Sequence, residues 1–185
     1  MPWIQVIPED EAEGELHKVY TDLKEKRGKI ANLVKVQSLN PAAMKSQMEL
    51  YVTLMYGPLG LTREQRELLA TVVSAANGCR YSVTHHAYAL NHYWKDEAKL
   101  QKLIKDYRFI SLPEKERRMI EYALKLTENP KKVRESDIEP LRKCGLTDPD
   151  ILNISLIVSY FNMLNRIASG LGVEVSASEA SGYKY

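Results

Sequence analysis

Cysteine is scarce in this chain, which has only Cys79 and Cys144. Two are too few for a disulfide framework and fit a reducing compartment. An excess of charge of one sign is lacking as well. The 26 basic and 24 acidic residues leave a formal charge of +2 and are scattered along the chain, so no broad basic surface is expected and nucleic acid is not an expected partner. No run of about 18 uncharged apolar residues occurs, the length a bilayer-spanning helix needs. The opening MPWIQVIPEDEAEGEL has no basic region followed by an apolar stretch, which predicts a cytoplasmic protein with no membrane partner. Convincing strand pairs, internal repeats and low-complexity linkers are missing too.

What is present is helical punctuation. With 185 residues, 44% of them hydrophobic and 27% charged, the chain can bury a core as one ordinary globular domain. Residues 1–8 read as extended, with Trp3, Ile4, Val6 and Ile7 as docking side chains. Pro8-Glu9-Asp10-Glu11 reads as an acidic start to a helix that carries Leu16, Val19, Tyr20 and Leu23 and ends near Arg27-Gly28. Asn40-Pro41 opens a helix that runs to about Tyr56. Further helices start at Lys95-Asp96-Glu97, at Ser111-Leu112-Pro113-Glu114 and, capped by Ser136, in a short piece through Leu141. Thr147-Asp148-Pro149-Asp150 starts the last helix, ILNISLIVSYFNMLNRIASGLG, whose apolar character on most sides predicts the most buried element. The expectation is an all-α, single-domain fold of roughly seven to nine helices over residues 1–175. The polar segment 176–185, SASEASGYKY, is expected to be a tail.

The segment from Leu61 to Tyr93 carries the chemistry. One helix is entered through Thr62 and stopped by Asn77-Gly78, and a second opens at once on Cys79. A thiol there would meet unpaired backbone N–H groups and the positive end of a helix dipole, which favour the thiolate. Ser82 and His86 follow Cys79 at helical spacing, and an antiparallel hairpin would fold Glu67 back beside them.

The pattern Glu67, Cys79-Arg80-Tyr81-Ser82, His86 resembles the alkylhydroperoxidase D-like branch of the carboxymuconolactone decarboxylase family, in its peroxidase-related members. That signature has a glutamate before a C-x-x-C and a histidine after the second cysteine, and this chain departs from it at Ser82. The run Tyr160-Phe161-Asn162-Met163-Leu164-Asn165-Arg166 and the closing Gly170-Leu171-Gly172-Val173 resemble the family's C-terminal signature. The resemblance implies an AhpD-like helical fold that assembles as a homo-oligomer and takes a small-molecule substrate, a hydroperoxide or a small acid. In the family the cysteine matching Ser82 attacks peroxide, the one matching Cys79 resolves the sulfenic acid, and the glutamate and histidine relay protons.

A serine hydroxyl does not replace the attacking sulfur, because it is undissociated near neutral pH and has no sulfenate chemistry. Three readings follow. Cys79 acts alone on peroxide, with Glu67 and His86 as relay and an external thiol as reductant. Alternatively, His86 and Glu67 move protons on a small acidic or lactone substrate, with no redox step. In the third, the chain is a binding or structural homologue in which Cys79 fills a helix junction. Adjacent His85 and His86 do not face one point on a helix, so neither a metal nor another cofactor is expected.

Overall fold

The architecture was determined as a computed structural model, which describes residues 2–175 and Glu179. Most of the polar tail 176–185 lies outside the described residues. Among those described, the chain forms nine α-helices and no strand: α1 (Gly14–Arg27), α2 (Asn32–Lys35), α3 (Pro41–Tyr56), α4 (Arg63–Ala76), α5 (Arg80–Trp94), α6 (Glu97–Lys105), α7 (Glu114–Glu128), α8 (Glu139–Lys143) and α9 (Asp148–Gly170).

The bundle is built around α4, which packs against α5, α7 and α9. Every residue from Gln65 to Ser74 is buried, so α4, not α9, is the most buried element. α9 keeps Leu152, Leu156 and Met163 exposed on one stripe, Leu152 to 58%. The sequence misleads here because α4 opens on Arg63, Glu64, Arg66 and Glu67, and charge ordinarily marks a solvated face. Burial is tolerated because the inward charges are partnered. The Arg66 guanidinium donates to the carbonyls of Leu61 (3.0 and 2.7 Å) and Gly57 (2.9 Å), which ties down the α3–α4 loop. α9 has the length and composition of a membrane-crossing helix, yet Ile154, Ile157, Val158 and Phe161 are fully enclosed in the main core, as in a core helix.

The helix boundaries follow local chemistry. Thr62 and Gln65 form a reciprocal capping box on α4 (3.2 and 3.0 Å), and Thr147 with Asp150 does the same for α9 (3.3 and 2.9 Å). Gly78 adopts φ +63 after the α4 C-cap Asn77, and the Cys79 N–H returns to the Ser74 carbonyl at 3.0 Å. That return bond closes α4 in a Schellman-type turn that turns the chain directly into α5.

Three local expectations are corrected. Glu9–Glu11 is an isolated 3-10 turn, and α1 begins only at Gly14; three consecutive carboxylates suit a first turn, but Ala12 and Glu13 are extended. The expected Ser136-capped helix divides into a 3-10 turn, Glu135–Asp137, and α8. There Asp137, not Ser136, supplies the bonds, accepting from the Arg134 N–H and Lys125 Nζ at 2.7 Å each. Finally, Val6 and Ile7 pack inward, but Trp3 is 75% exposed and lies across Gly172 while its N–H bonds the Leu171 carbonyl at 2.9 Å.

Candidate functional site

The α4–α5 hairpin brings Glu67 and His86 together as expected. Glu67 is wholly buried and both of its oxygens are used. Oε2 meets His86 Nδ1 at 2.8 Å, and Oε1 accepts from Arg63 Nε at 2.8 Å and from Arg63 Nη2. Arg63 lies one helical turn before Glu67, and its guanidinium also donates to the Met55 carbonyl (3.0 Å) and stacks 3.7 Å from the Tyr56 ring centroid. Burial pushes the Glu67 carboxyl up, but the His86 ring and the Arg63 guanidinium outweigh it and hold the carboxyl below the usual range. An ionised carboxylate only accepts hydrogen bonds, so His86 Nδ1 carries the proton of that contact and Nε2 is left to take or give one. The imidazole is held edge-on against Phe161, with centroids 4.5 Å apart.

These two residues line a cavity of about 100 Å3 between α1, α2, α3, α4, α5 and α9. Ser82, Tyr81 and His85 line it with them, as do Arg27, Lys29, Gln47, Tyr51 and Tyr160. The rest of the wall is aliphatic, including Leu23, Ile30, Leu33 and Leu164. The phenols are strongly neutral: burial pushes Tyr51 well above its ordinary pKa, with Glu67 adding to the effect, and burial also raises Tyr160. Gln47 donates to the Tyr160 hydroxyl.

Cys79 is placed differently from the other motif residues. It is the N-cap of α5, as its sequence position implies, but its side chain is 3% exposed, belongs to the main core and does not line the cavity. Its dihedrals, φ −82 and ψ 88, are not helical. Cys79 keeps the expected contact with Ser82, but its thiol faces the core and not the cavity that Glu67 and His86 line. Sγ donates to Ser82 Oγ at 3.5 Å. Ser82 thus stands between the thiol and the cavity, and its bond runs to Cys79, not to His86.

The paired histidines diverge. His86 turns to Glu67, while His85 Nε2 lies 3.7 Å from Glu179 Oε1. Tyr81 also donates to that oxygen, and its own oxygen accepts the Leu33 N–H at 3.2 Å. Among the described residues no group of three or more histidines, cysteines, aspartates and glutamates is gathered as a metal would require. Sequence reasoning missed Arg63, Arg27, Lys29 and Glu179. Arg63 was findable, since an arginine four residues from a glutamate on one helix is a standard ion-pair spacing; nothing local marks the others.

Comparison with known proteins supplies the relatives. The profile of the carboxymuconolactone decarboxylase family matches residues 41–125. A peroxidase-related protein from Silicibacter sp. TM1040 is 30% identical, with TM-score 0.82 over 97% of this chain and 91% of that one. An uncharacterized peroxidase-related protein from Ralstonia eutropha JMP134, an alkylhydroperoxidase AhpD core, is 26% identical, with TM-score 0.86 over 97% and 94%. The debrominase Bmp8 in its apo form shares the fold at 17% identity and TM-score 0.76, over 93% of this chain and 91% of that one. No curated protein sequence matches the chain.

Proposed function

We propose that this chain, which belongs to the carboxymuconolactone decarboxylase family in its alkylhydroperoxidase D-like, peroxidase-related branch, is a proton-transfer enzyme in which His86 and Glu67 act on a small carbon acid. One observation carries this reading: the Glu67–His86 pair lines the cavity and Cys79 does not. Glu67 fixes the tautomer of His86 and stabilises the imidazolium that forms when Nε2 takes a proton. The His86 ring and Arg63 together keep the Glu67 carboxyl ionised, so it accepts the hydrogen bond from Nδ1. The apolar wall excludes water from a carbanion or enolate, and Arg27 and Lys29 supply positive charge for the oxygen on which negative charge develops.

The test is deuterium uptake from D2O into a panel of small keto acids and lactones, followed by NMR. Exchange is expected with wild-type protein and is lost in His86→Gln. Exchange that survives this substitution removes the proposal.

A second reading, one-thiol peroxide reduction, is favoured by the Cys79 Sγ contact with the cavity-lining Ser82. If Ser82 rotates away, the thiolate attacks the O–O bond; one oxygen stays as sulfenic acid and the other leaves as alcohol or water. One external thiol then condenses with the sulfenic acid to give a mixed disulfide and water, and a second attacks that disulfide, which frees Cys79 and leaves the external thiols as their disulfide. In either reading we propose that the protein works as a homo-oligomer, with the exposed Leu152, Leu156 and Met163 stripe of α9 at the subunit contact.

A further inference from the structure

Glu179 is the one residue of the C-terminal segment 176–185 that the structure describes, and its side chain is only 7% exposed. A buried carboxylate needs donors, and this one has an organised set. The Asn32 N–H reaches Oε1 at 2.8 Å, the Asn32 side-chain amide donates to Oε2, and the Tyr81 hydroxyl donates to Oε1. His85 Nε2 stands 3.7 Å from Oε1, and Lys29 Nζ donates to the Glu179 backbone carbonyl at 2.8 Å. Burial pushes the Glu179 carboxyl up, and His85, Tyr81 and the Asn32 N–H more than offset it, so the group is held ionised.

The donors come from two separate parts of the chain, α2 and α5, and converge on a single carboxylate, while Lys29 from the loop before α2 holds the backbone carbonyl of the same residue. Three of the residues around Glu179, namely Lys29, Tyr81 and His85, also line the cavity that holds Glu67 and His86. The cradle is therefore part of the cavity wall. Its chemistry is that of a carboxylate receptor: one bond to each oxygen from Asn32, a phenol, and an imidazole that becomes a further donor when protonated. Docking of a C-terminal segment through apolar contacts would not require this arrangement.

We infer that Asn32, Tyr81 and His85 form a carboxylate-binding subsite of the cavity, which Glu179 fills from within the chain, its backbone carbonyl held by Lys29, and which the carboxylate of a small organic acid takes by displacing it. The inference rests on the reading of the cavity as a substrate site and narrows the substrate to an acid whose carboxylate is held about α2 while its carbon framework lies toward His86. It also makes Glu179 an internal competitor.

The experiment is calorimetric titration with sodium benzoate, with neutral benzamide as the control. A tethered carboxylate acts at an effective concentration in the millimolar range or above, so Glu179→Ala should bind benzoate at least about tenfold more tightly than wild type. Glu179→Ala combined with Tyr81→Phe should lose that gain, and benzamide should not show it. In the intact wild-type protein, excess benzoate should shift the NMR signal of the Asn32 amide, a readout that needs no variant to fold. Equal benzoate affinity in wild type and Glu179→Ala, equal binding of benzamide, or an unmoved Asn32 amide would each overturn the inference. The two failures stay distinguishable because benzoate binding by wild type and Glu179→Ala is read with no exchange chemistry, whereas loss of exchange in His86→Gln bears on the proton-transfer reading alone.

Discussion

Replacing Glu67 by glutamine tests the site at its electrostatic centre. The wild-type carboxylate satisfies Arg63 on one oxygen and His86 on the other. Glutamine keeps one acceptor and turns the second into an NH2 donor. With the oxygen toward Arg63, the amide nitrogen faces His86 Nδ1, and the imidazole must move its proton to Nε2 to accept there. The base that faces the cavity is then lost, and by analogy with other His–carboxylate pairs the rate should fall on the order of 10^3 to 10^4-fold. Stability changes separately. Breaking a buried ion pair costs about 3–5 kcal/mol when the surviving charge is left alone. Arg63 is not left alone, because the Met55 carbonyl and the Tyr56 ring still hold it, which puts the expected loss at about 2–3 kcal/mol. For a domain of this size that is roughly 5–10 °C in Tm. The pH dependence has a definite sign. Since the folded-state carboxyl lies below its unfolded value, its contribution is fully present above the unfolded pKa of about 4.3 and is lost as pH falls through the folded value. Urea unfolding of both proteins at pH 7 and at successively lower pH should therefore show two stability curves that converge on acidification. Curves that coincide at pH 7, or that stay parallel down to acid unfolding, would refute this account of Glu67.

Iodoacetamide should label Cys144 before Cys79 in the folded protein, because Cys79 is enclosed and Cys144 is half-exposed; tryptic mass spectrometry showing Cys79 labelled first would contradict the burial. Ser82→Cys places a second sulfur beside Cys79 Sγ, which now lies 3.5 Å from the serine oxygen, so one equivalent of peroxide should yield an intramolecular disulfide and the loss of two hydrogens; persistence of two free thiols by intact mass would count against it. Light scattering at micromolar concentration should give an oligomer, and Leu156→Glu should lower the mass, since a charge on that exposed stripe is costly to bury at an interface; a wild-type monomer would remove the oligomer from the proposal.

The legible parts of the fold were those written in local chemistry. The helix starts at Thr62 and Thr147, the proline after Asn40 and the Asn77-Gly78 stop are short-range signals, and the structure uses each as expected, adding a reciprocal capping box at both threonines. The Glu67–His86 contact was legible because an antiparallel hairpin with a tight turn fixes which residues of two consecutive helices meet. Two features were hidden for physical reasons. Cys79 was expected on the Ser82–His86 face and does meet Ser82, but as the non-helical N-cap of α5 it buries its thiol in the core and not in the cavity. The burial of α4 was masked by its charges, whose partners are carbonyls of a loop and a histidine 19 residues away. Glu179 gave no signal because its partners, Asn32, Tyr81 and His85, are about 100 residues or more distant in sequence, and a glutamate among serines and alanines reads as solvated.

The central claim is that proton transfer by Glu67 and His86, and not sulfur chemistry, is the activity of the cavity. It is tested most directly by measuring deuterium exchange and hydroperoxide consumption side by side in wild type, Cys79→Ala and His86→Gln. The account predicts exchange that Cys79→Ala retains and His86→Gln loses, with no thiol-dependent peroxide turnover in wild type. Peroxide turnover in wild type that vanishes in Cys79→Ala, with no exchange in any of the three proteins, would contradict it.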